Sequence, residues 1–266
     1  MSPAEFAALA LHGDVQRVSN VERIKHGLTN ESWLVTLGLE TVIVRISNPE
    51  DVNLQIDRQS EAIILHAVAA AGIGPQVLLC DPSLRVLVTR YLGSTWTDDD
   101  ARESVNIARL GTVMRQLHSL APPAGIRRVR LVDVIDEYAT TLRFTAEQRS
   151  SPLHAQSRFT AGLLDRPEDR PEDQCLCHND VHALNIVDDG AIRFIDWEYA
   201  GCGAPLFDLA AVCVYHGYDE AQRTQLLSSY EQRDEISPEG LERACELFDY
   251  IRDLWARVRG TTGSLP

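Results

Sequence analysis

Three oxygen-bearing side chains crowd one stretch of this 266-residue chain: Asp180, Asn185 five residues on, and Asp196 beyond a short apolar segment. Between the last two lies Ile186-Val187-Asp188-Asp189-Gly190-Ala191-Ile192-Arg193-Phe194-Ile195. Asp-Gly between apolar runs is a hairpin signal, with a turn at 188–190 and a return strand over 191–195. A hairpin this short makes its flanking loops adjoin, so Asn185 and Asp196 converge on one point. One or two protein oxygens, with room left for water and phosphate, is the ligand set Mg²⁺ takes. Asp180 is then placed to accept a proton from an attacking hydroxyl. The chemistry within reach is phosphoryl transfer to an alcohol.

His178-Asn179-Asp180, the Asn five residues later, a strand and a further Asp reproduce the catalytic loop and metal aspartate of kinase-type phosphotransferases. The fuller wording adds Ile-Asp-Trp-Glu-Tyr-Ala-Gly over 195–201 and Pro-Leu-Phe-Asp-Leu-Ala over 205–210. Together they resemble the choline/ethanolamine kinase family, within the aminoglycoside-phosphotransferase-like superfamily. The resemblance covers most of the chain, densest over 177–214 and thinnest over 121–174. It implies an α+β, two-lobed protein-kinase-like fold. Residues 1–92 form a small antiparallel β lobe with one helix that binds nucleotide. Residues 93–266 form a larger, mostly helical lobe that carries catalysis and the acceptor. ATP and Mg²⁺ are the implied cofactors, with Asn185, Asp196 and a possible second-metal residue, Glu198, as metal ligands. The implied acceptor is a small cationic alcohol of the choline or ethanolamine kind. Thiamine, an aminoglycoside, or nucleotide binding without transfer stand as alternatives.

Other readings of the same residues exist. Cys175, Cys177, His178 and His182 offer a rival zinc set and with it a zinc-dependent hydrolase. Their spacing lacks the loop that separates ligand pairs in structural zinc sites, and the cysteines read equally as buried strand residues. His178 reads as a brace for the loop. Asp208 reads as a cap for backbone N–H groups, either of the catalytic loop or of the helix it opens.

The whole chain sets the frame. It is 44% hydrophobic and 24% charged, with a formal charge of −14 and a pI near 5.0. That sign disfavours nucleic acid or an anionic membrane as partner and suits a cationic small molecule. Six cysteines without framework spacing suit reduced thiols in a cytoplasm. The apolar run at 6–11 is short and lacks a basic region before it, so it does not read as a signal peptide.

Upstream, residues 21–25, 33–37 and 41–46 read as a three-stranded meander, after a short helix over 1–11. The first turn, Gly27-Leu28-Thr29-Asn30, matches the Gly-Leu-Thr-Asn turn of the resembled family and would cover phosphates, with Gly27, Thr29 and Asn30 as contacts. Arg45 sits amid β-branched neighbours where kinases hold a phosphate-binding Lys. Residues 53–71 read as a helix, whose Glu61 would pair with Arg45. A second hairpin over 76–90 leads to Tyr91, near which the adenine edge would meet backbone. Downstream, amphipathic helices are expected over 131–144, 206–216, 219–230 and 238–257, with another around Ile107 to Leu117. A four-residue repeat over 166–173 reads as loop, and 260–266 as a tail. For the acceptor, the aromatic and acidic candidates are Trp197, Glu198, Tyr250 and Trp255, with Tyr199 beside them. Arg252 stands where the resembled family has a second aromatic, three residues before Trp255.

Overall fold

The computed structural model describes residues 1–24, 30–47, 54–165, 175–230 and 236–260. The expectations for the turn residues Gly27 and Thr29, for the 166–173 repeat and for the tail beyond 260 lie outside them.

Ser2 and Glu5 close a capping box on α1 (Pro3–Ala10), with Pro at its first position. Then come β1 (Val18–Ile24), β2 (Asn30–Leu37), β3 (Glu40–Ser47), α2 (Arg58–Ala70), β4 (Val77–Asp81) and β5 (Val86–Arg90). The strands make one antiparallel sheet in the order β1-β2-β3-β5-β4. Val35, Val42, Val44, Val86 and Val88 alternate inward and bury Phe6 and Ala7 of α1. The meander and second hairpin are as expected. The helix is shorter than expected: the Asp57 carboxylate accepts from Gln59 N and Ser60 N, so α2 starts at Arg58.

The remainder is mainly helical: α3 (Asp98–Arg102), α4 (Ser104–His118), α5 (Leu131–Thr141), α6 (Ala146–Arg149) and α7 (Pro152–Leu164) come first. After them run β6 (Cys175–Cys177), β7 (Ile186–Asp188), β8 (Ile192–Phe194), β9 (Gly201–Gly203), α8 (Pro205–Tyr215), α9 (Glu220–Tyr230) and α10 (Pro238–Val258). Sequence periodicity gave no sign of α7, and its burial explains why. The helix turns His154, Ser157, Thr160 and Ala161 inward and leaves Leu153, Phe159 and Leu163 exposed. Its apolar pattern therefore points the wrong way for a periodicity argument.

One large apolar cluster runs from Ile64, Leu65 and Val68 of α2 through Leu110 and Met114 of α4 to Leu209 of α8 and Leu254 of α10. The β7–β8 hairpin is set into this cluster. Phe194 N donates to Ile73 O at 2.7 Å and Trp96 N to Ile186 O at 2.8 Å. Arg109 of α4 forks onto both oxygens of Asp188, at 2.5 and 2.8 Å, which fixes the hairpin from its solvent side. Gly190, at φ 103°, supplies the turn that a side chain would resist. The small sheet and the helical part thus close on the hairpin from two directions. No described helix is long and apolar enough to cross a membrane.

Candidate active site

The loop holding Asp180 begins at β6, which pairs with β9. Gly201 of β9 is required there, because a Cβ would meet Val129 at 2.7 Å and the Arg127 carbonyl oxygen at 3.0 Å. Asp208, in the first turn of α8, accepts from His178 N at 2.8 Å and Asn179 N at 2.5 Å. Of the two roles open to Asp208 in the sequence, the loop cap is the one it fills. His118 braces it from behind: its Nε2 meets Asp208 Oδ2 at 3.0 Å and its Nδ1 meets Tyr230 Oη at 2.8 Å. His178 Nε2 lies 2.9 Å from Ile195 O, so it must be the donor there. Burial lowers the pKa of His178, which keeps it a neutral brace rather than a proton carrier.

Asp180 is held on both oxygens. Tyr215 Oη donates to Oδ1 at 2.9 Å, and Asn185 Nδ2 donates to Oδ2 at 3.2 Å and to the Asp180 carbonyl at 2.9 Å. Burial alone would raise its pKa; His182, first, and the Tyr215 hydroxyl outweigh that and hold it below the usual carboxylate range. It is therefore ionised at neutral pH and aimed into the cavity.

Asp196 has left-handed backbone, φ 62° and ψ 65°. Such a conformation at a non-glycine residue costs of order 1–3 kcal/mol and clusters at functional sites. It ends the hairpin abruptly and starts a single 3₁₀ turn, Trp197–Tyr199. The backbone therefore does not run on extended through Glu198. Glu198 nevertheless lines the cavity, while Trp197 swings into the core.

Opposite the hairpin lies a buried ionic network. Arg45 Nη2 meets Glu61 Oε1 at 2.6 Å and its Nη1 meets Asp196 Oδ1 at 3.0 Å. The Arg45–Glu61 pair expected from sequence is thus present, with Asp196 as its third member. Arg58 extends it, reaching Glu61 Oε2 at 2.8 Å, Glu198 Oε2 at 3.0 Å and Asn30 Oδ1 at 2.9 Å. Asn30 Nδ2 in turn donates to Glu198 Oε2 at 2.7 Å. Burial works against the Arg45 charge, but Glu61, Asp196 and Glu198 prevail and its pKa is raised. Burial likewise pushes Glu61 up, and Arg45 and Arg58 bring it below its ordinary value. Glu198 is pushed up to about 7, by burial first and then by Asp196. Sequence reading missed Arg58. Its signal was the three-residue spacing to Glu61, which also describes any solvated helix pair.

These groups border a cavity of about 890 Å³. Its wall includes Asn30, Arg45, Tyr91, Asp180, Asn185, Asp196, Glu198, Tyr199 and Trp255. Glu61 acts on it only through Arg45. Two expected acceptor contacts are corrected. Trp197 is fully buried, donates its indole N–H to Phe194 O at 2.9 Å and packs on His178. Tyr250 faces α7, where its hydroxyl meets His154 Nδ1 at 2.7 Å. An aromatic beside a metal loop or on the right helix is a core residue unless its turn of helix aims it outward. Trp255 is half-buried, lines the cavity and donates to Tyr199 Oη at 2.8 Å. The contrast is measurable: Trp197→Ala should cost about 3–5 kcal/mol of stability. Trp255→Leu should instead raise the acceptor KM with little change in unfolding midpoint. Equal stability losses in the two variants would return Trp255 to the core.

The zinc alternative finds no support. His178 is committed to Ile195 O, and His182 lies 3.7 Å from Asp180 and stacks on Tyr215. The donor set does suit a hard cation. Asn185 commits its amide nitrogen to Asp180, which leaves its carbonyl oxygen as acceptor. Asp196 gives one oxygen to Arg45 and keeps the other.

A two-sided cleft with this loop, hairpin and cation pair defines a protein-kinase-like phosphotransferase fold. The chain belongs to the phosphotransferase enzyme family, whose model matches residues 20–247. It is 29% identical over 191 residues to protein LicA of Haemophilus influenzae, covering 70% of this chain and 55% of that protein. The chain thus spans about half the length of that relative. A thiamine kinase of Salmonella heidelberg is 44% identical over 93 residues, 35% of this chain and 28% of that enzyme. Among solved structures, choline kinase LicA from Streptococcus pneumoniae superposes with a TM-score of 0.76 at 22% identity, covering 100% of this chain and 94% of that one. A choline/ethanolamine kinase family protein from Mesorhizobium loti gives 0.71 at 26% identity, covering 97% and 85%. The two-lobed kinase-like expectation for the fold is met.

Proposed function

We propose that this protein transfers the γ-phosphate of ATP, with Mg²⁺, to the hydroxyl of a small alcohol. The observation that carries the proposal is the convergence of Asp180, Asn185 and Asp196 on one cavity wall, facing Arg45. Residues 1–92 then supply the nucleotide side and residues 93–266 the catalytic and acceptor side. Asp180, ionised and fixed by Tyr215 and Asn185, orients the acceptor hydroxyl and takes its proton as the bond to phosphorus forms. Arg45 is the donor fork for phosphate oxygens, and Glu61 and Arg58 fix its position. Asn185 and Asp196 would hold the cation, which supplies neutralisation of phosphate charge when bound. Glu198, tied to Arg58 and Asn30, serves this reading better as a partner of the network than as a second-metal ligand.

The relatives named for choline and thiamine support a small alcohol as acceptor, and Trp255 with Tyr199 offers it aromatic surface. Binding of ATP in the presence and absence of Mg²⁺, by calorimetry, tests the nucleotide half. Mg²⁺ should tighten ATP binding to the native protein and lose that effect in Asp196→Ala. Tightening that survives in the variant would remove Asp196 from the metal site. Initial rates against choline, ethanolamine, thiamine and an aminoglycoside test the acceptor half.

A further inference from the structure

The aromatic surface at the acceptor side already carries a cation of the chain. Arg252 of α10 lines the cavity and sets its guanidinium 5.7 Å from the centroid of the Tyr215 ring. Tyr215 is the residue whose hydroxyl holds Asp180, so Arg252 stands one tyrosine ring away from the catalytic carboxylate. The other side chains packed on that ring are His182, with centroids 4.9 Å apart, and Phe248, at 5.3 Å. The carboxylate partner of Arg252 among the described residues is Asp249, which takes Nη2 at 2.5 Å, is half-exposed and is absent from the cavity wall. The second candidate ring, Trp255, has Arg259 at 5.8 Å and spends its indole N–H on Tyr199.

The neighbouring wall is mixed in sign, and Arg127 there gives its guanidinium to the Gln55 and Ala200 carbonyls. Arg127, Arg128 and Arg130 line the cavity from the segment before α5, against Asp133 and Glu137, both exposed. Arg130 already lies 3.5 Å from Asp133. A quaternary ammonium needs a bare aromatic face and a carboxylate near it. Here Tyr215 offers a guanidinium instead, and like charges a few ångströms apart in a partly desolvated site repel.

We infer that Arg252 makes the acceptor an alcohol bearing an anionic group, carboxylate or phosphate ester, and excludes quaternary ammonium alcohols. The inference rests on the proposed phosphotransfer and narrows its acceptor, displacing the cationic alcohol expected from sequence. Within the site, Asp180 receives the hydroxyl of such a molecule while Arg252 forks onto its anionic end.

The test is a rate panel with purified protein, ATP and Mg²⁺. Glycerate represents carboxylates, glycerol phosphate represents phosphate esters, and choline, ethanolamine and thiamine represent cations. The highest kcat/KM is expected for an anionic member, and which arm it falls in tells carboxylate from phosphate. In Arg252→Gln the KM for that member should rise at least about tenfold, the usual weight of a charged hydrogen bond, with kcat nearly unchanged. Arg252→Lys should recover part of the loss, and Arg252→Glu should shift preference toward the cations. Best turnover of choline or ethanolamine by the native protein overturns the inference, as does an unchanged KM in Arg252→Gln. A native protein that ATP neither stabilises against heat nor phosphorylates any acceptor with would overturn the phosphotransfer reading itself, so the two failures are told apart.

Discussion

Asp180→Asn is expected to fold, bind ATP normally and lose roughly 10²–10⁴-fold in kcat, about 3–5 kcal/mol of transition-state stabilisation. The amide has the shape of the carboxylate and can still accept from Tyr215 Oη, so the loop pinned by Asp208 should not move. What it lacks is the charge that orients a hydroxyl and the basicity to take its proton. The native carboxyl sits below the usual range, so it stays ionised throughout neutral pH and the native rate should not fall until the pH is distinctly acidic. Single-turnover kinetics at saturating ATP is the measurement. A variant with near-native turnover would leave Asp180 a structural residue and shift the search for the base to another group.

Most of the catalytic hairpin was legible in the sequence because each step there is local. Asp-Gly fixes the turn, the apolar runs fix the strands, and the spacing then brings Asn185 to Asp196. The Arg45–Glu61 pair was legible for a different reason: the family resemblance sets a helix glutamate against the strand cation, and the cost of an unpaired charge inside a strand agrees with it. What was not legible depends on aim. Trp197, Glu198 and Tyr199 are consecutive, yet the left-handed Asp196 sends the first into the core and the second to Arg58. No periodicity rule contains that single backbone angle. Tyr250 and Trp255 share α10, but five residues of helix place their side chains about 140° apart, so one faces α7 and the other the cavity. Arg58 and α7 were hidden because their burial contradicts their composition. A guanidinium and a polar helix stripe look like surface until the partners that satisfy them are in place.

A large loss of stability is also expected at Glu61. Its carboxylate is 3% exposed and is shared by Arg45 at 2.6 Å and Arg58 at 2.8 Å. Removing one partner of a buried ion pair leaves an uncompensated charge and typically costs 3–5 kcal/mol. Here Glu61→Gln leaves Arg45 with Asp196 and Arg58 with Glu198, so a loss toward the lower end, about 3 kcal/mol, is expected from urea unfolding at pH 7. The pH dependence has a definite sign. Glu61 titrates lower in the folded protein than in the unfolded chain, so its contribution is complete above the ordinary glutamate pKa and disappears as pH falls through the folded value. The deficit of the variant should therefore be flat from pH 8 to about pH 5 and shrink in more acid solution. Pairing it with Arg45→Met should restore much of the loss, because the buried charge goes with its partner, and the cycle should show strong coupling. Additive losses would mean that Arg45 is held by Asp196 alone. Arg45 would then lose its fixed position once Asp196 turned to a cation, and the phosphate fork would have to be assembled on binding rather than prepared in advance.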